Sequence, residues 1–585
     1  MIITGLDIAV IAVYLVIVFG IGVLLSKRAS RDTEEFFVSG RSLPWWLIGT
    51  SMVATTFAAD TPLVVSGLVA RGGIWQNWIW WHWGIGAVFT VFLFARLWNR
   101  AGITTDAELI ELRYDGKPAA ALRFYRAAWF GIFQNILVIA WVMKAMAKIV
   151  IVVMGWQEAG EVLGMHPEVF IVMCLFLVTV FYTVMSGLWG VVMTDFLQFA
   201  LAMGGSIFLA VISWKSFGGM DGIRAGLAEK GFDIAGTLRI VPAPESLLSA
   251  NPFTEFVLLV LVVWWASYTI DGGGYLAQRL FAAKNEKHAV FGYLWFCIAH
   301  VALRPWPWII VGLCGMAFFG KVDDPETYYP LVMRELLRPG MLGLMLASFF
   351  AAFMSTIDSQ LNWGSSLVVN DLLKRFLWKG RSEKEYVLLA RIAIVGLALL
   401  GAGSSFLVSD ISFAWKLIIS VTAGVGSVYV ARWYWWRVNA WSEITAMAAA
   451  MAATLVLSML SQRPGLEGAP WLQFPYSTAL TAALSVVLWV AVTFATKPVG
   501  DERLRAFHGR VRPGGPGWRR FRGGAEKSRY SEAAFNIFAG LLVVFGMLVG
   551  FGGFILGRPV EGIVATLLAV AGCVILLFTM REDGR

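Results

Sequence analysis

Apolar runs long enough to cross a bilayer recur along the whole chain, at roughly 5–25, 44–71, 74–98, 127–154, 168–187, 189–213, 252–277, 290–318, 341–371, 387–408, 411–435, 440–462, 476–496, 533–556 and 559–580. At about 1.5 Å of rise per residue, about 20 residues cover the hydrocarbon core, so the pattern predicts an all-α polytopic membrane protein of about fifteen helices. One run is interrupted by polarity in its middle. From Met341 to Leu372, Ala352, Ser355, Thr356 and Ser359 recur at i, i+3, i+4 and i+7, and Asn362 and Ser366 extend the same helical face. A row of neutral oxygens suits a small hard cation such as Na⁺, since hydroxyl and carbonyl dipoles can replace its hydration shell. The same row could instead let helices pack closely or hydrogen-bond to one another.

The second run, 44–71, contains hydroxyl and small residues and then Asp60 and Pro62 at membrane depth, a composition prone to helix interruption. A carboxylate there is costly and needs a cavity or a partner. Arg304, well inside the 290–318 run, is a partner by sign, and the two are expected either to pair with each other or to contact a solute. The third run opens GIWQNWIWWHWG, read either as an aromatic belt or as a source of cavity-facing Gln76, Asn77 or His82. Tyr268, Trp264 and Trp265 near the end of the seventh run are aromatic gate candidates or ordinary packing residues.

Composition narrows the class. With 58% hydrophobic and 15% charged residues and a mean hydropathy of +0.71, the chain is a membrane protein and not a soluble multidomain one. Its four Cys stand singly, His is scarce, and no HExxH, GxGxxG or Walker pattern is present, so disulfide, transition-metal and nucleotide chemistry are not expected. The run 5–25 lacks a basic n-region and reads as a retained helix. Basic residues cluster in alternate loops (Lys27, Arg28 and Arg31; Arg96 to Arg126; Arg279, Lys284 and Lys287; Lys374 to Arg381; Arg503 to Arg529), which predicts an outside N-terminus and an inside C-terminus. The net charge of +9 is then accounted for by orientation and anionic lipid, not by nucleic acid.

Five motifs in order resemble the sodium:solute symporter family across about residues 5–530. They are GRSLPWW with the run after it, SGLWGVVMTDFLQ, YTIDGGGYLAQRLFAAKNEK, AAFMST with SQLN and NDLLKRF, and VARWYWWRVNAWSEI. The resemblance implies an inverted-repeat transporter of the LeuT-like kind, with a leading helix (1–26), two repeats (44–213 and 252–435) and trailing helices (440–585) that include a basic linker at 497–532. It implies Na⁺ as the coupling ion, held by Ala54, Phe57, Ala352, Ser355 and Thr356, with Phe57 a departure that matters little if its main-chain oxygen is the ligand. Asp195, in the TD-x-x-Q motif, is matched to a sodium exit path or second ion site. Thr56, Asp60, Thr61, Asn77, His82, Tyr268 and Arg304 form the expected substrate set, for a sugar-like or carboxylate-bearing small molecule. The DQ pair usual in the third motif is absent, so that end of the cavity is expected to differ. The implied function is sodium-coupled symport in a plasma or inner membrane. A transporter-like sensor or scaffold, and a membrane enzyme using Asp60, Asp195 or Asp358, are the rival classes; the stretch after residue 533 reads as two apolar helices rather than a signalling domain.

Overall fold

A computed structural model describes residues 3–29, 33–158, 160–521 and 530–582. Arg31, Arg522, Lys527 and Arg529 of the basic segments lie outside the described residues. Helices carry the fold, and among the described residues the β-pairing is confined to isolated bridges such as Leu43 with Ala283. Among the described residues eleven helical stretches are long and apolar enough to span a membrane, two further spans are bent pairs, and two shorter apolar helices cover Gly5–Ile21 and Pro252–Ala266. The expected runs fall on these elements, with 168–187 and 189–213 both on the helix Pro167–Ser216, and a count of about fifteen spans depends on dividing that helix and including the two short ones.

The bends are where the chemistry concentrates. Helix Trp45–Thr55 stops at Thr56 and resumes as Asp60–Gly72 after a turn of 59°. Pro62 lies in the first turn of the resumed helix, where its missing N–H costs nothing. Phe57 N–H caps the first half by donating to Ala54 O at 2.9 Å. Pro252–Ala266 ends in the same manner, and the chain becomes helical again only at Tyr275, after Gly272 and Gly274 with φ of +75° and +79°. The second bent pair, Ile411–Val421 with Val425–Tyr434, turns by 46°, and the N–H of Gly424 at its break donates to Ala266 O at 3.0 Å. One break thus satisfies the other's orphan carbonyl, as buried backbone requires.

The polar helix Met341–Ser366 is central. It packs on the 50-residue helix Pro167–Ser216, on Gly5–Ala29 and on Trp45–Thr55. Asp7 on the leading helix accepts from the N–H groups of Gly340 and Gly343, both at 2.7 Å, which satisfies two of the unpaired donors where Met341–Ser366 starts. At the opposite end of the core, the basic linker is partly folded and not merely a spacer. Trp518 is fully buried and its Nε1 donates to Trp433 O at 2.7 Å. With Phe507 it also covers the guanidinium of Arg113, which donates to three main-chain oxygens at Arg432, Trp435 and Trp436.

Helices Trp45–Thr55 and Glu286–Cys297 touch backbone to backbone: a Cβ on Gly49 would lie 2.4 Å from Gly292 O, and one on Gly292 would lie 2.6 Å from Ile48. Gly49→Ala should therefore destabilise the fold by about 1–3 kcal/mol through overpacking. Gly396→Ala, at a position where an added Cβ meets nothing within 4 Å, should be neutral or slightly stabilising. Thermal unfolding of the two variants in one detergent checks the contrast.

Candidate functional site

Where the break at residues 56–59 faces the polar helix, oxygens converge. Ser355 Oγ lies 3.0 Å from both Ala54 O and Ala352 O. Thr356 Oγ1 lies 2.8 Å from Thr55 O and 3.2 Å from Ala352 O. Ala54, Ala352, Ser355 and Thr356 are thereby brought together, and Phe57 joins them at the break through its N–H to Ala54. Its ring does not face the oxygens but packs edge-on against Trp308, with centroids 4.7 Å apart. The donor set is neutral oxygen throughout and fits a small hard cation. Among the described residues no group of three or more His, Cys, Asp or Glu could hold a metal.

The lower half of the row does the other job that its composition allowed. Ser359 Oγ hydrogen-bonds Thr55 Oγ1 at 2.7 Å and accepts from Arg279, and Asn362 Oδ1 accepts from Gln278 Nε2 at 2.7 Å. The adjacent Gln278–Arg279 pair therefore locks the polar helix to the chain after the second break. Arg279 also donates to Ser51 Oγ at 3.1 Å and Thr55 Oγ1 at 3.0 Å, and stands 3.6 Å from Asp195. Asp195 in turn accepts from Ser51 at 2.5 Å. Asp358, on the same helix as the row, is buried against Thr183, whose hydroxyl it accepts.

Beside the convergent oxygens lies a cavity walled mainly by aromatic rings, among them Trp80, Trp83, Trp141, Trp264 and Trp415. Thr56, Asp60, Thr61, Tyr268 and Arg304 line it, as the sequence led us to expect. Asn77 and His82 do not: Asn77 spends its amide on Ile74 O and Trp80 Nε1 within its own turn, and His82 Nδ1 lies 2.9 Å from Trp78 O. The tight 3-10 turn Ile74–Asn77 rotates the following helix so that Trp80 and Trp83 take the cavity face. Sequence reasoning missed His300, Gln134, Gln360, Tyr275 and Trp415, which also line the cavity. His300 stands one helical turn before Arg304, and that i, i+4 spacing is the signal that could have found it.

Of the two arrangements open to Asp60 and Arg304, a direct ion pair is not the one formed. Arg304 donates to Thr56 Oγ1 at 3.0 Å and Val53 O at 3.3 Å, its guanidinium held over Trp80 and Trp308. Asp60, beyond the bend, accepts from Trp415 Nε1 at 2.9 Å. Among the described residues no salt bridge joins the two. The break itself separates them: its spent carbonyl at Val53 draws the guanidinium toward one half of the helix while Asp60 begins the other.

Broken helices, a cluster of neutral oxygens at the break and a largely aromatic cavity with a few buried polar groups beside it are the architecture of a membrane carrier. The chain belongs to the sodium:solute symporter family, whose family model matches residues 36–453. Among its curated relatives are a sodium/glucose cotransporter of Vibrio parahaemolyticus, 24% identical over 78% of this chain and 85% of the relative, and the sodium/mannose cotransporter SLC5A10 of Bos taurus, 26% identical over 80% and 77%. A Na⁺-coupled sialic acid symporter solved in a substrate-bound outward-open state superposes with a TM-score of 0.69 at 20% identity, over 85% of this chain and 99% of that one. The fold is the LeuT-like one, and the protein is a transporter and not an enzyme.

Asp195 and Arg279 are both fully buried, so removing one leaves the other as an uncompensated charge. Asp195→Asn alone should cost about 3–5 kcal/mol of stability, and Asp195→Asn with Arg279→Gln should recover much of it. A double-mutant cycle on thermal unfolding measures the coupling, and additive losses would show that the two side chains are independent.

Proposed function

We propose that this chain couples the downhill entry of Na⁺ to uptake of a small polar organic solute by alternating access, with the ion at Ala54, Phe57, Ala352, Ser355 and Thr356 and the solute in the adjoining cavity. The observation that carries this reading is the 3.0 Å approach of Ser355 Oγ to the freed carbonyl of Ala54. A cation ligated there would bridge the broken helix and the polar helix, stabilising the arrangement in which Thr56 and Arg304 meet at the cavity. The same reading takes 44–213 and 252–435 as the two inverted repeats and sets the N-terminus outside a plasma or inner membrane, in line with the basic loops. Sugar-like and carboxylate-bearing solutes are both consistent with the relatives. One Na⁺ moving down about 100 mV yields roughly 2.3 kcal/mol, and a tenfold concentration ratio adds about 1.4, enough for accumulation of several hundredfold.

Asp195 enters as a second ion site or exit path, reached through Ser51 and Arg279. An altered Asp195 would then change the sodium cooperativity or turnover more than solute affinity.

The test is reconstitution. In proteoliposomes, labelled solute should accumulate with an inward sodium gradient and not with potassium; accumulation indifferent to sodium would refute the coupling. Ser355→Ala and Thr356→Ala should each weaken sodium affinity by about tenfold or more while leaving expression intact, since each removes one oxygen from a charged ligand. Sodium titration of transport or of thermal stability reads this, and a double variant with unchanged sodium dependence would remove the site from this position.

A further inference from the structure

The two charges in the cavity define the solute more narrowly than the family does. Asp60 and Arg304 are 1% and 2% exposed, and both line the same cavity. Several buried charges elsewhere in the core are paired, Arg126 with Asp106 at 2.8 Å, Arg432 with Asp271 at 2.5 Å and Arg279 with Asp195 at 3.6 Å, while Asp358 and Arg113 are held by a hydroxyl and by main-chain oxygens away from the cavity. Among the described residues neither Asp60 nor Arg304 has a salt bridge, and Asp60 Oδ1 and Arg304 Nε have no hydrogen-bond partner. Leaving two opposite charges buried and apart is costly unless something else joins them.

We propose that the solute is a zwitterion of the amino-acid kind, its carboxylate engaging Arg304 and its N–H-bearing cationic nitrogen engaging Asp60, with a compact apolar body against the aromatic wall. The proposal rests on the reading of this cavity as the solute site. A neutral sugar would offer each charge only hydroxyl dipoles and no ionic contact. A simple anion would neutralise Arg304 and leave Asp60 as a buried repulsive charge. A zwitterion compensates both and adds no net charge to the cavity. The guanidinium is already positioned for a carboxylate by Thr56 and by the rings of Trp80 and Trp308. At the other pole, Trp415 holds Asp60 and lies with its ring centroid 6.4 Å from that of Trp83, so aromatic surface borders the carboxylate where a cationic nitrogen would sit.

The experiment is thermal unfolding of the purified full chain in sodium chloride and in potassium chloride, with L-proline and L-phenylalanine as zwitterions and glucose and mannose as neutral probes. Glycine betaine, whose nitrogen carries no N–H, serves only as a comparison and not as a hit for the analogue series. We expect at least one of the two amino acids to stabilise the protein. The amide of that amino acid, which keeps only the cation, and its N-acetyl form, which keeps only the anion, should bind about 100-fold more weakly. Asp60→Asn should reverse the preference between the zwitterion and the N-acetyl form, a change that a merely structural Asp60 would not produce; if that variant fails to fold, the analogue series on the unaltered protein decides. Absence of stabilisation by both amino acids, or stronger stabilisation by glucose or mannose, overturns the proposal. Glucose binding that requires sodium would sink the zwitterion and leave the symport reading intact. A zwitterion bound equally well in potassium would support the proposal and count against sodium coupling.

Discussion

The break at residues 56–59 is the constraint on which the rest of the site depends. Interrupting a helix inside a bilayer frees main-chain groups that lipid cannot satisfy, so they must be met from within the protein. Here the answering groups are the hydroxyls of Ser355 and Thr356 for Ala54 and Thr55, and the guanidinium of Arg304 for Val53. Each of these side chains is itself a polar group that membrane burial would penalise. Breaking the helix and placing the polar residues are therefore one requirement, and the oxygen cluster and the adjoining cavity inherit their geometry from it.

The polar helix Met341–Ser366 resolves a choice that composition leaves open. Hydroxyl rows in membrane helices serve both packing and ligation. In this chain the row is split by position: Ala352, Ser355 and Thr356 face the break, while Ser359 and Asn362 are taken by Arg279 and Gln278. The second group anchors the helix against the segment after the second break, which keeps the first group in register with the carbonyls it must meet.

Helical periodicity made the spans and the oxygen row legible in the sequence, because both are local: a 20-residue apolar run and an i, i+3, i+4 pattern need no knowledge of neighbours. Asp60 and Arg304 stood out because a charge at membrane depth needs a partner or a cavity, whereas Thr56 came only with the family resemblance. The direction of side chains after a tight turn was not legible. Asn77 and His82 turn away because Ile74–Asn77 is a 3-10 turn, and no periodic pattern marks its end. The absence of an Asp60–Arg304 bond was equally hidden, since it depends on a 59° bend between two halves of one apolar run. The burial of Trp518 in a segment rich in Arg, Pro and Gly depends on a contact with Trp433, 85 residues away in the chain.

Thr56 supplies the remaining link between the oxygen cluster and the cavity. Its hydroxyl is within 3.0 Å of Met52 O and Val53 O, accepts from Arg304 at 3.0 Å, and lies 3.1 Å from His300 Nδ1. It is two residues from Ala54 and one from Thr55, whose carbonyls meet Ser355 and Thr356. A shift of the break that tightens or loosens the oxygen cluster must therefore move the group that steadies Arg304. Neither charge transfer nor long-range communication is needed for coupling of this kind. The helix end presents its Ala54 and Thr55 carbonyls to the oxygen cluster and its capping Thr56 hydroxyl to the cavity, so under the proposed function an ion that favours one arrangement of the backbone favours the matching arrangement of the cavity.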